Sequence, residues 1–204
     1  MAGIAAPGSW AASVPQKACW YARSVGDSEF SVLYTPRLML RRFTTADMDA
    51  FVAYRADPEV ARYQGWEAGF SRAQGEEFLE WVKSVDPDTT GEWFQFAIER
   101  RDAPGLIGDC AANFGSAEVE IGFTLAPAHQ RMGYATEAVR ALLGYVGSRG
   151  HTTAVAWCDV DNLPSQRVLE RLGFALVETV DGEHRFTLDL GTGFETPASA
   201  PGQP

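Results

Sequence analysis

Apolar residues recur along the chain at two different spacings, and these separate predicted strands from predicted helices. Short apolar runs bounded by turn residues predict seven strands, at 38–40, 93–99, 106–114, 118–125, 153–158, 175–179 and 184–190. Apolar positions at helical spacing predict four helices between them, and the clearest carries Ala138, Val139, Leu142, Leu143 and Val146. The resulting order alternates strands with helices.

Local signals set the ends of several of these elements. A helix is predicted to begin at Thr44 and to stop before Pro58, because a proline disfavours helical backbone at the residue before it. A second helix is predicted to begin at Ser71, which has a glutamine three residues later. Gly173 is expected to end the last helix, and Asp181-Gly182 predicts a hairpin turn.

The 204 residues are interpreted as one domain with two flanking segments. Residues 1–34 show no clear period and are read as an N-terminal extension, 35–190 form the domain, and 191–204, rich in Gly, Pro, Thr and Ala, are expected to be a mobile tail. No apolar run approaches the roughly 18 residues that a membrane helix needs. We therefore expect a cytoplasmic protein without a membrane partner.

The charge balance narrows the expected partners. Lys and Arg total 17 against 27 Asp and Glu, so the formal net charge is −10. This charge opposes binding to nucleic acid phosphates, so no nucleic acid partner is expected, and it favours cationic substrates. Cys19, Cys110 and Cys158 are odd in number and widely spaced, so we expect reduced thiols and no metal site.

Two segments combine a predicted strand end with a predicted helix start. In the first, Gly133 and Ala135 stand where a loop opens into a helix, and in the second Asn162 and Ser165 do so. Unpaired N–H groups at a helix start, together with the helix dipole, form an anion site suited to a pyrophosphate. Both segments follow strands, so both helix starts can face one crevice.

With these segments in place, the chain resembles the GNAT acetyltransferase superfamily, and specifically its branch similar to ribosomal-protein N-terminal acetyltransferases. The resemblance covers about residues 35–190 and includes Thr35-Pro36-Arg37-Leu38 and Leu106-Ile107-Gly108. It implies an α/β (α+β) fold, with a mixed, mostly antiparallel twisted sheet and helices on both faces. It also implies a splay between the strand ending at Leu125 and the strand ending at Cys158, in which acetyl-CoA, the acyl donor, would lie.

The resemblance also implies which residues contact acetyl-CoA. Gln130-x-x-Gly133-x-Ala135 would be the pyrophosphate loop, and the backbone of Phe123 and Leu125 would hold the pantetheine arm. The full expected set is Phe123, Leu125, Gln130, Arg131, Met132, Gly133, Tyr134, Ala135, Thr136, Asn162 and Ser165. Many members have a Tyr seven residues after the Asn as the acid that protonates the departing thiolate, but here that position is Leu169. The branch has a Ser three residues after the Asn, so Ser165 is the candidate donor.

Acetyl transfer to an amine also requires a base, because ammonium groups with pKa values of about 8 to 10.4 do not attack a thioester. Glu120, at the predicted splay, is the candidate base, acting directly or through a water, and Glu118 is the alternative. A backbone N–H near Phe123 or Thr124 is the expected donor to the oxyanion. Neither a metal nor a covalent enzyme intermediate is required.

Several alternatives remain open from the sequence. Glu120 is also explained as a solvated strand carboxylate, Asn162 and Ser165 as residues of a helix start, and Trp66 as core. Tyr63 and Trp66, with Glu118 and Glu120, are the candidate substrate-binding residues. The expected acceptor is a protein N-terminus or a small cationic amine, and the enzyme is expected to be a monomer or homodimer. The alternative function is a non-catalytic acyl-CoA binding or sensing module of the same fold.

Overall fold

A mixed sheet of eight strands organises the part of the chain that the structure, a computed structural model, describes: residues 32–66, 68–87 and 89–191. The strands are β1 (Leu33–Tyr34), β2 (Leu38–Arg41), β3 (Trp93–Arg100), β4 (Leu106–Phe114), β5 (Val119–Leu125), β6 (Thr153–Asp159), β7 (Ala175–Val180) and β8 (Glu183–Asp189). Their order across the sheet is β1-β2-β3-β4-β5-β6-β8-β7. Only β5 and β6 pair in parallel, which confirms the predicted mixed, mostly antiparallel sheet.

Helices cover both faces of this sheet, as predicted. They are α1 (Met48–Ala56), α2 (Pro58–Ala61), α3 (Arg72–Ser84), α4 (Tyr134–Ser148) and α5 (Leu163–Leu172). On one face, α4 and α5 bury Leu142, Val146 and Leu169 in a core shared with the strands. On the other face, α1 and α3 pack through Phe51 and Phe78, whose stacked rings have centroids 4.5 Å apart.

The predicted element ends agree closely with the structure. Each predicted strand is present, with ends that differ by at most one residue. The Ser71 backbone N–H donates to Gln74 Oε1 at 2.8 Å and the Gln74 N–H to Ser71 Oγ at 3.3 Å, so the predicted start of α3 is a reciprocal capping box. Gly173 has the left-handed conformation that ends α5.

Two short elements were missed by the sequence analysis. The strand β1 contains only Leu33 and Tyr34, pairs with Leu40 and Met39 of β2, and lies within the segment interpreted as an N-terminal extension. The helix α2 begins at Pro58, with the Asp57 side chain accepting from the Glu59 backbone N–H at 2.8 Å. Pro58 was interpreted only as the stop of α1, whereas proline is also favoured in the first turn of a helix.

The remaining domain predictions fall largely outside the described residues. Residues 1–31 and 192–204, with most of the predicted extension and tail, are not among them, and neither is Cys19. Cys110 in β4 and Cys158 in β6 are buried free thiols. Within the described ranges, α4 is the longest helix at 15 residues, and no helix is long and apolar enough to cross a membrane.

The β5–β6 pair positions the candidate site. Its register is limited to Val119 opposite Ala154 and Glu120 opposite Val155, after which the two strands diverge. Meanwhile β5 stays paired with β4 along its whole length, and β6 stays paired with β8. The structure therefore has the predicted splay, and the starts of α4 and α5 lie at the same sheet edge because both helices follow these parallel strands.

An ionic network fixes the start of the helical layer that contains α1. Arg41 on β2 donates to Asp47 at 2.7 Å and to Glu99 on β3 at 2.6 Å. Asp47 also accepts from the backbone N–H of Thr44 at 2.7 Å, just ahead of α1. Burial opposes the ionisation of Asp47, but the hydrogen bonds from Arg41 and Thr44 outweigh it and lower the pKa of Asp47.

Replacing Asp47 with Ala should lower the free energy of unfolding by about 3 kcal/mol, because it removes the carboxylate of the capping box with Thr44 and leaves the half-buried Arg41 with one carboxylate partner fewer. Urea denaturation at pH 7 measures this loss. Asp49→Ala is the matched control, since the Asp49 side chain is 87% exposed and its ion pair with Arg72 is solvated. Equal losses in the two variants would contradict the structural role of Asp47.

Candidate active site

The gap between β5 and β6 leaves one edge of β5 without a strand partner. The Ala126 N–H donates to the Ile107 carbonyl at 2.9 Å and the Gly115 N–H to the Glu118 carbonyl at 3.1 Å, so even-numbered residues of β5 bond to β4. Successive residues of a strand direct their polar groups to opposite sides. The N–H and C=O groups of Phe123 and Leu125 therefore point into the gap, where they can pair with an extended ligand.

The loop at the start of α4 turns sharply beside this gap. Arg131 and Gly133 both have positive φ, at 62° and 81°, and α4 begins at the next residue, Tyr134. Gln130 Nε2 donates to the Leu125 carbonyl at 3.0 Å, which ties the loop to the end of β5. The Thr136 hydroxyl, in the first turn of α4, is buried without a hydrogen-bond partner among the described residues.

A polar cluster from the first strands holds this loop in place. Glu137 accepts from the Thr35 hydroxyl at 2.6 Å, from the Arg37 backbone N–H at 2.8 Å and from Arg37 Nε at 2.6 Å. Arg37 also donates to the Met132 carbonyl at 3.0 Å, and its guanidinium lies 4.6 Å from the centroid of the Tyr134 ring. Burial opposes the ionisation of Glu137, but the bonds from Thr35 and Arg37 lower its pKa.

The start of α5 is closed by Asn162. Its side-chain oxygen accepts from the Ser165 backbone N–H at 3.4 Å, so Asn162 is the N-cap of the helix. Asn162 and Ser165 are both fully buried beside the end of β6. Leu169, at the position where the resemblance implies a tyrosine in many members, is fully buried in the core and offers no acid. These placements are compatible with both the structural and the cofactor-binding interpretation of Asn162 and Ser165.

Glu120 and Glu118 lie two residues apart and have different surroundings. Glu118 accepts from Arg185 Nη2 at 2.7 Å. Glu120 Oε1 is buried and has no hydrogen-bond partner among the described residues. Burial, reinforced by the negative charges of Glu118 and Glu183 and opposed by Arg185, raises the pKa of Glu120 from 4.5 to about 7. Glu120 is therefore a partly desolvated carboxylate, and its pKa suits a general base near neutral pH.

A cleft opens on the same sheet face as Glu120, between the strands and the helices α1 and α3. It has a volume of about 70 Å³ and is lined by Arg55, Gln64, Gly65, Trp66, Phe78, Trp81, Trp93, Gln95, Asp109, Ala111, Gly122, Phe123 and Thr124. The predicted substrate residue Trp66 lies on its wall. Tyr63 is not part of the lining, and its ring lies 5.2 Å from the Arg62 guanidinium.

A buried ion pair supports the wall of this cleft. Arg55 Nη2 lies 3.5 Å from Asp109 Oδ2, and Asp109 also accepts from the Tyr54 hydroxyl. The Arg55 guanidinium lies 4.0 Å from the centroid of the Trp66 ring, and Trp66 Nε1 donates to the Arg55 carbonyl at 3.1 Å. Burial raises the pKa of Asp109, with the positive charge of Arg55 acting against it. The ion pair thus holds the Arg55 guanidinium against the Trp66 ring and so orients that ring.

Sequence reasoning missed most of the cleft residues. Trp81, Trp93, Gln95, Asp109, Ala111 and Gly122 come from four different elements, and only the strand register shows that they share a face. The available signal was the alternation along β3, β4 and β5, which assigns every second residue to this face. Among the described residues, no group of three or more His, Cys, Asp or Glu side chains is placed to hold a metal ion.

Replacing Glu120 with Gln should stabilise the protein at pH 8. The carboxyl of Glu120 ionises at about pH 7 in the folded state, against an ordinary value of 4.5, so folding loses stability as the pH rises from 4.5 through 7. At pH 8 the free energy of unfolding of the variant should exceed that of the parent by on the order of 2 kcal/mol. This difference should shrink toward zero as the pH approaches 4.5.

Urea denaturation at several pH values measures this difference. Glu118→Gln is the control and should bring a smaller gain at pH 8, because relief of its repulsion with Glu120 is offset by loss of its ion pair with Arg185. A loss of stability in Glu120→Gln at pH 8 would contradict the burial of an unpartnered carboxylate.

Comparison with known proteins places this site in a family. A family model described as an acetyltransferase (GNAT) domain matches residues 37–175. The uncharacterized N-acetyltransferase YjdG of Bacillus subtilis is 41% identical over 157 residues, covering 71% of this chain and 90% of the relative. The uncharacterized N-acetyltransferase YoaA of the same organism is 32% identical over 149 residues, covering 71% and 83%.

Solved structures show the same fold. A GNAT-family acetyltransferase from Bacillus anthracis superposes with a TM-score of 0.68 at 23% identity, covering 78% of this chain and 98% of that one. RimL, a ribosomal L7/L12 alpha-N-protein acetyltransferase solved with coenzyme A, gives a TM-score of 0.66 at 18% identity, with the same coverages. The matched family model and the curated relatives confirm the resemblance seen in the sequence: the chain belongs to the GNAT family of N-acetyltransferases.

Proposed function

We propose that this enzyme transfers the acetyl group of acetyl-CoA to a primary amine by direct attack of the amine on the thioester. Members of the GNAT family use acetyl-CoA as acyl donor. The observation that carries the proposal is Glu120, a half-buried carboxylate whose Oε1 is buried without a hydrogen-bond partner in the described structure, at the point where β5 and β6 diverge. A carboxylate with a pKa of about 7 in this position suits proton removal from an ammonium group.

The donor substrate fits the gap and the two helix starts beside it. The N–H groups in the first turn of α4, with the Thr136 hydroxyl, supply donors for the pyrophosphate, and Arg131 lies in the same loop. The backbone of Phe123 and Leu125 supplies strand-like pairing for the pantetheine arm. The remaining predicted contacts are Gln130, Met132, Gly133, Tyr134 and Ala135 in the loop, and Asn162 and Ser165 at α5.

The proposed reaction requires a base for the amine and a proton donor for the leaving thiolate. Glu120 removes a proton from the ammonium group, and the free amine forms a bond to the thioester carbon. A backbone N–H near Phe123 or Thr124 stabilises the oxyanion until the carbon–sulfur bond breaks. Ser165 donates a proton to the leaving thiolate, whose pKa of about 8.5 requires only modest assistance. The attacking nitrogen still carries one surplus proton, which it loses through solvent to restore the Ser165 hydroxyl, and Glu120 releases its own proton to solvent. The products are the acetylated amine and free coenzyme A.

The acceptor is proposed to be a small cationic amine or a protein N-terminus. Glu118 and Glu183 lie close enough to Glu120 to raise its pKa, so the surroundings of the base are negative and favour a positively charged acceptor. The ribosomal L7/L12 specificity named for RimL motivates the second class, although at 18% identity RimL is similar in fold only.

A thiol-release assay with a panel of primary amines tests the proposal. We expect amine-dependent, saturable release of coenzyme A, and mass spectrometry should show an acetyl group on the amine. The alternative, an acyl-CoA sensor, is favoured by Leu169 in place of a tyrosine. That alternative predicts calorimetric binding of acetyl-CoA without coenzyme A release for every amine.

The pH profile should identify the base. For the parent enzyme, kcat/KM for the amine should rise up to about pH 7 and then level off, because Glu120 is ionised above that pH while the amine is still cationic. Glu120→Gln should lower kcat/KM by roughly 10²- to 10⁴-fold. Its kcat/KM should keep rising toward the pKa of the amine, near 10, since only the free amine reacts.

Glu118→Gln is the matched control for this profile. It should retain a change of slope, moved to a lower pH, because Glu120 is still present but has lost the neighbouring negative charge that helps to raise its pKa. A change of slope that persists in Glu120→Gln but disappears in Glu118→Gln would reverse the assignment of the two carboxylates.

The cluster of Thr35, Arg37 and Glu137 should affect binding of coenzyme A. Glu137→Gln weakens three charge-assisted hydrogen bonds that hold the pyrophosphate loop, so the Kd for coenzyme A should rise about tenfold. Calorimetry with coenzyme A measures this change. Glu170→Gln, on the exposed side of α5, is the control and should leave the Kd unchanged. An unchanged Kd for folded Glu137→Gln would contradict the role of the cluster.

A further inference from the structure

The floor of the cleft beside Glu120 is made of small residues. In the sheet register, Gln95 of β3 lies opposite Ala111 of β4, and Ala111 lies opposite Gly122 of β5. These three residues therefore form one row across the same face. Glu120 lies on that face in the next row, about 7 Å along β5, so a molecule seated over Gly122 can present an amine to Glu120.

Gly122 is not required by the backbone. Its φ is not positive, and a Cβ atom built on it would meet only the Trp93 ring, at 4.0 Å. Gly108, in the neighbouring strand, differs: a Cβ atom there would clash with the Thr124 carbonyl oxygen. A glycine inside a strand lowers stability relative to residues with side chains. Neither backbone conformation nor packing thus requires a glycine at position 122, and the open space above it is available to a ligand.

The walls of the cleft suit a flat apolar group. The rings of Trp66, Trp81 and Trp93 line it. Tryptophan rings pack well on planar groups and offer large contact areas.

Two amide atoms in the cleft lack hydrogen-bond partners within the described residues. Gln64 Nε2 is a buried donor and Gln95 Oε1 is a buried acceptor. Buried polar atoms are rarely left unpartnered in folded proteins, since each costs about 1–3 kcal/mol. A ligand that offers one acceptor and one donor, as the edge of an amide does, would satisfy both.

We propose that the cleft binds an acceptor with a planar aromatic ring that carries an aminomethyl group and an amide group, and that Gly122 determines which acceptors fit. This inference rests on the proposed amine acetylation. The ring would lie over Gly122 between the three tryptophans, the amide would bond to Gln64 and Gln95, and the amine would face Glu120. Gly122 and Gln95 then act on specificity rather than on the reacting atoms.

Matched amines and three variants test this proposal. The amines are 4-(aminomethyl)benzamide, benzylamine, which lacks the amide, and cyclohexylmethylamine, which lacks the flat ring. In the parent, kcat/KM should fall about tenfold from 4-(aminomethyl)benzamide to benzylamine, and about tenfold again from benzylamine to cyclohexylmethylamine. Gly122→Val should lower kcat/KM for both aromatic amines at least about tenfold, mainly through KM, while the melting temperature stays equal or rises. Gln95→Leu should remove the preference for the amide-bearing amine over benzylamine.

Gly147→Ala is the control for replacing a glycine. Gly147 lies on α4, outside the cleft, and a Cβ atom there meets nothing within 4 Å, so all three rates should match the parent. Folded Gly122→Val that uses the aromatic amines as well as the parent would overturn the proposal. Equal use of the amide-bearing amine and benzylamine by the parent would also overturn it.

Binding of benzamide separates this inference from the proposed reaction. Benzamide has no amine, so its binding, measured by quenching of tryptophan fluorescence, does not depend on turnover. Saturable quenching in the parent that is lost in Gly122→Val supports the cleft assignment even if no amine is acetylated, in which case only the proposed reaction falls. Acetylation of amines without any benzamide binding would overturn the cleft assignment and leave the reaction intact.

Discussion

The short parallel contact between β5 and β6 is the constraint on which the rest of the site depends. Two opposed residue pairs join the strands, and beyond Glu120 each strand remains held only by its outer neighbour. The divergence leaves the polar groups of Phe123 and Leu125 without a strand partner. Because the strands are parallel, the helices that follow them start at the same edge. One departure from regular pairing thus provides both an extended edge and two helix starts, which is what a long donor with a diphosphate requires.

Two neighbouring carboxylates near this divergence differ in their surroundings. Glu118 lies just before the first residue of β5, where the side chain of Arg185 on β8 reaches it. Glu120 lies at the last paired position, where it is removed from water but beyond a direct bond to that arginine. A spacing of two residues on one strand therefore separates an ion-paired side chain from one with a pKa of about 7. The folded protein loses stability to keep Glu120 in this state, as is common for groups at functional sites.

The sequence predicted the elements well and the cleft poorly, for a physical reason. Strand and helix periods, the Ser71 cap and the Gly173 end are local signals, and each needs only a few neighbouring residues. The elements β1 and α2, with two and four residues, are too short for any period. The pKa of Glu120 and the row of Gln95, Ala111 and Gly122 depend on register between strands, which no single segment specifies. The loop around Gly133 was found because its chemistry is contained in consecutive residues.

Glycine positions show how stability and function divide within this sheet. Gly108 is fixed by the fold, since the neighbouring strand leaves no room for a side chain. Gly122 lies on the next strand with room above it, so packing alone would favour a larger residue there. Gly122 and Glu120 both lower the stability of the fold, and they lie in adjacent rows on the same face of the sheet. The desolvated charge of Glu120 and the missing side chain at Gly122 thus each lower the stability of the fold at neighbouring positions beside the gap. Such a combination is typical of a functional site rather than of a merely irregular sheet.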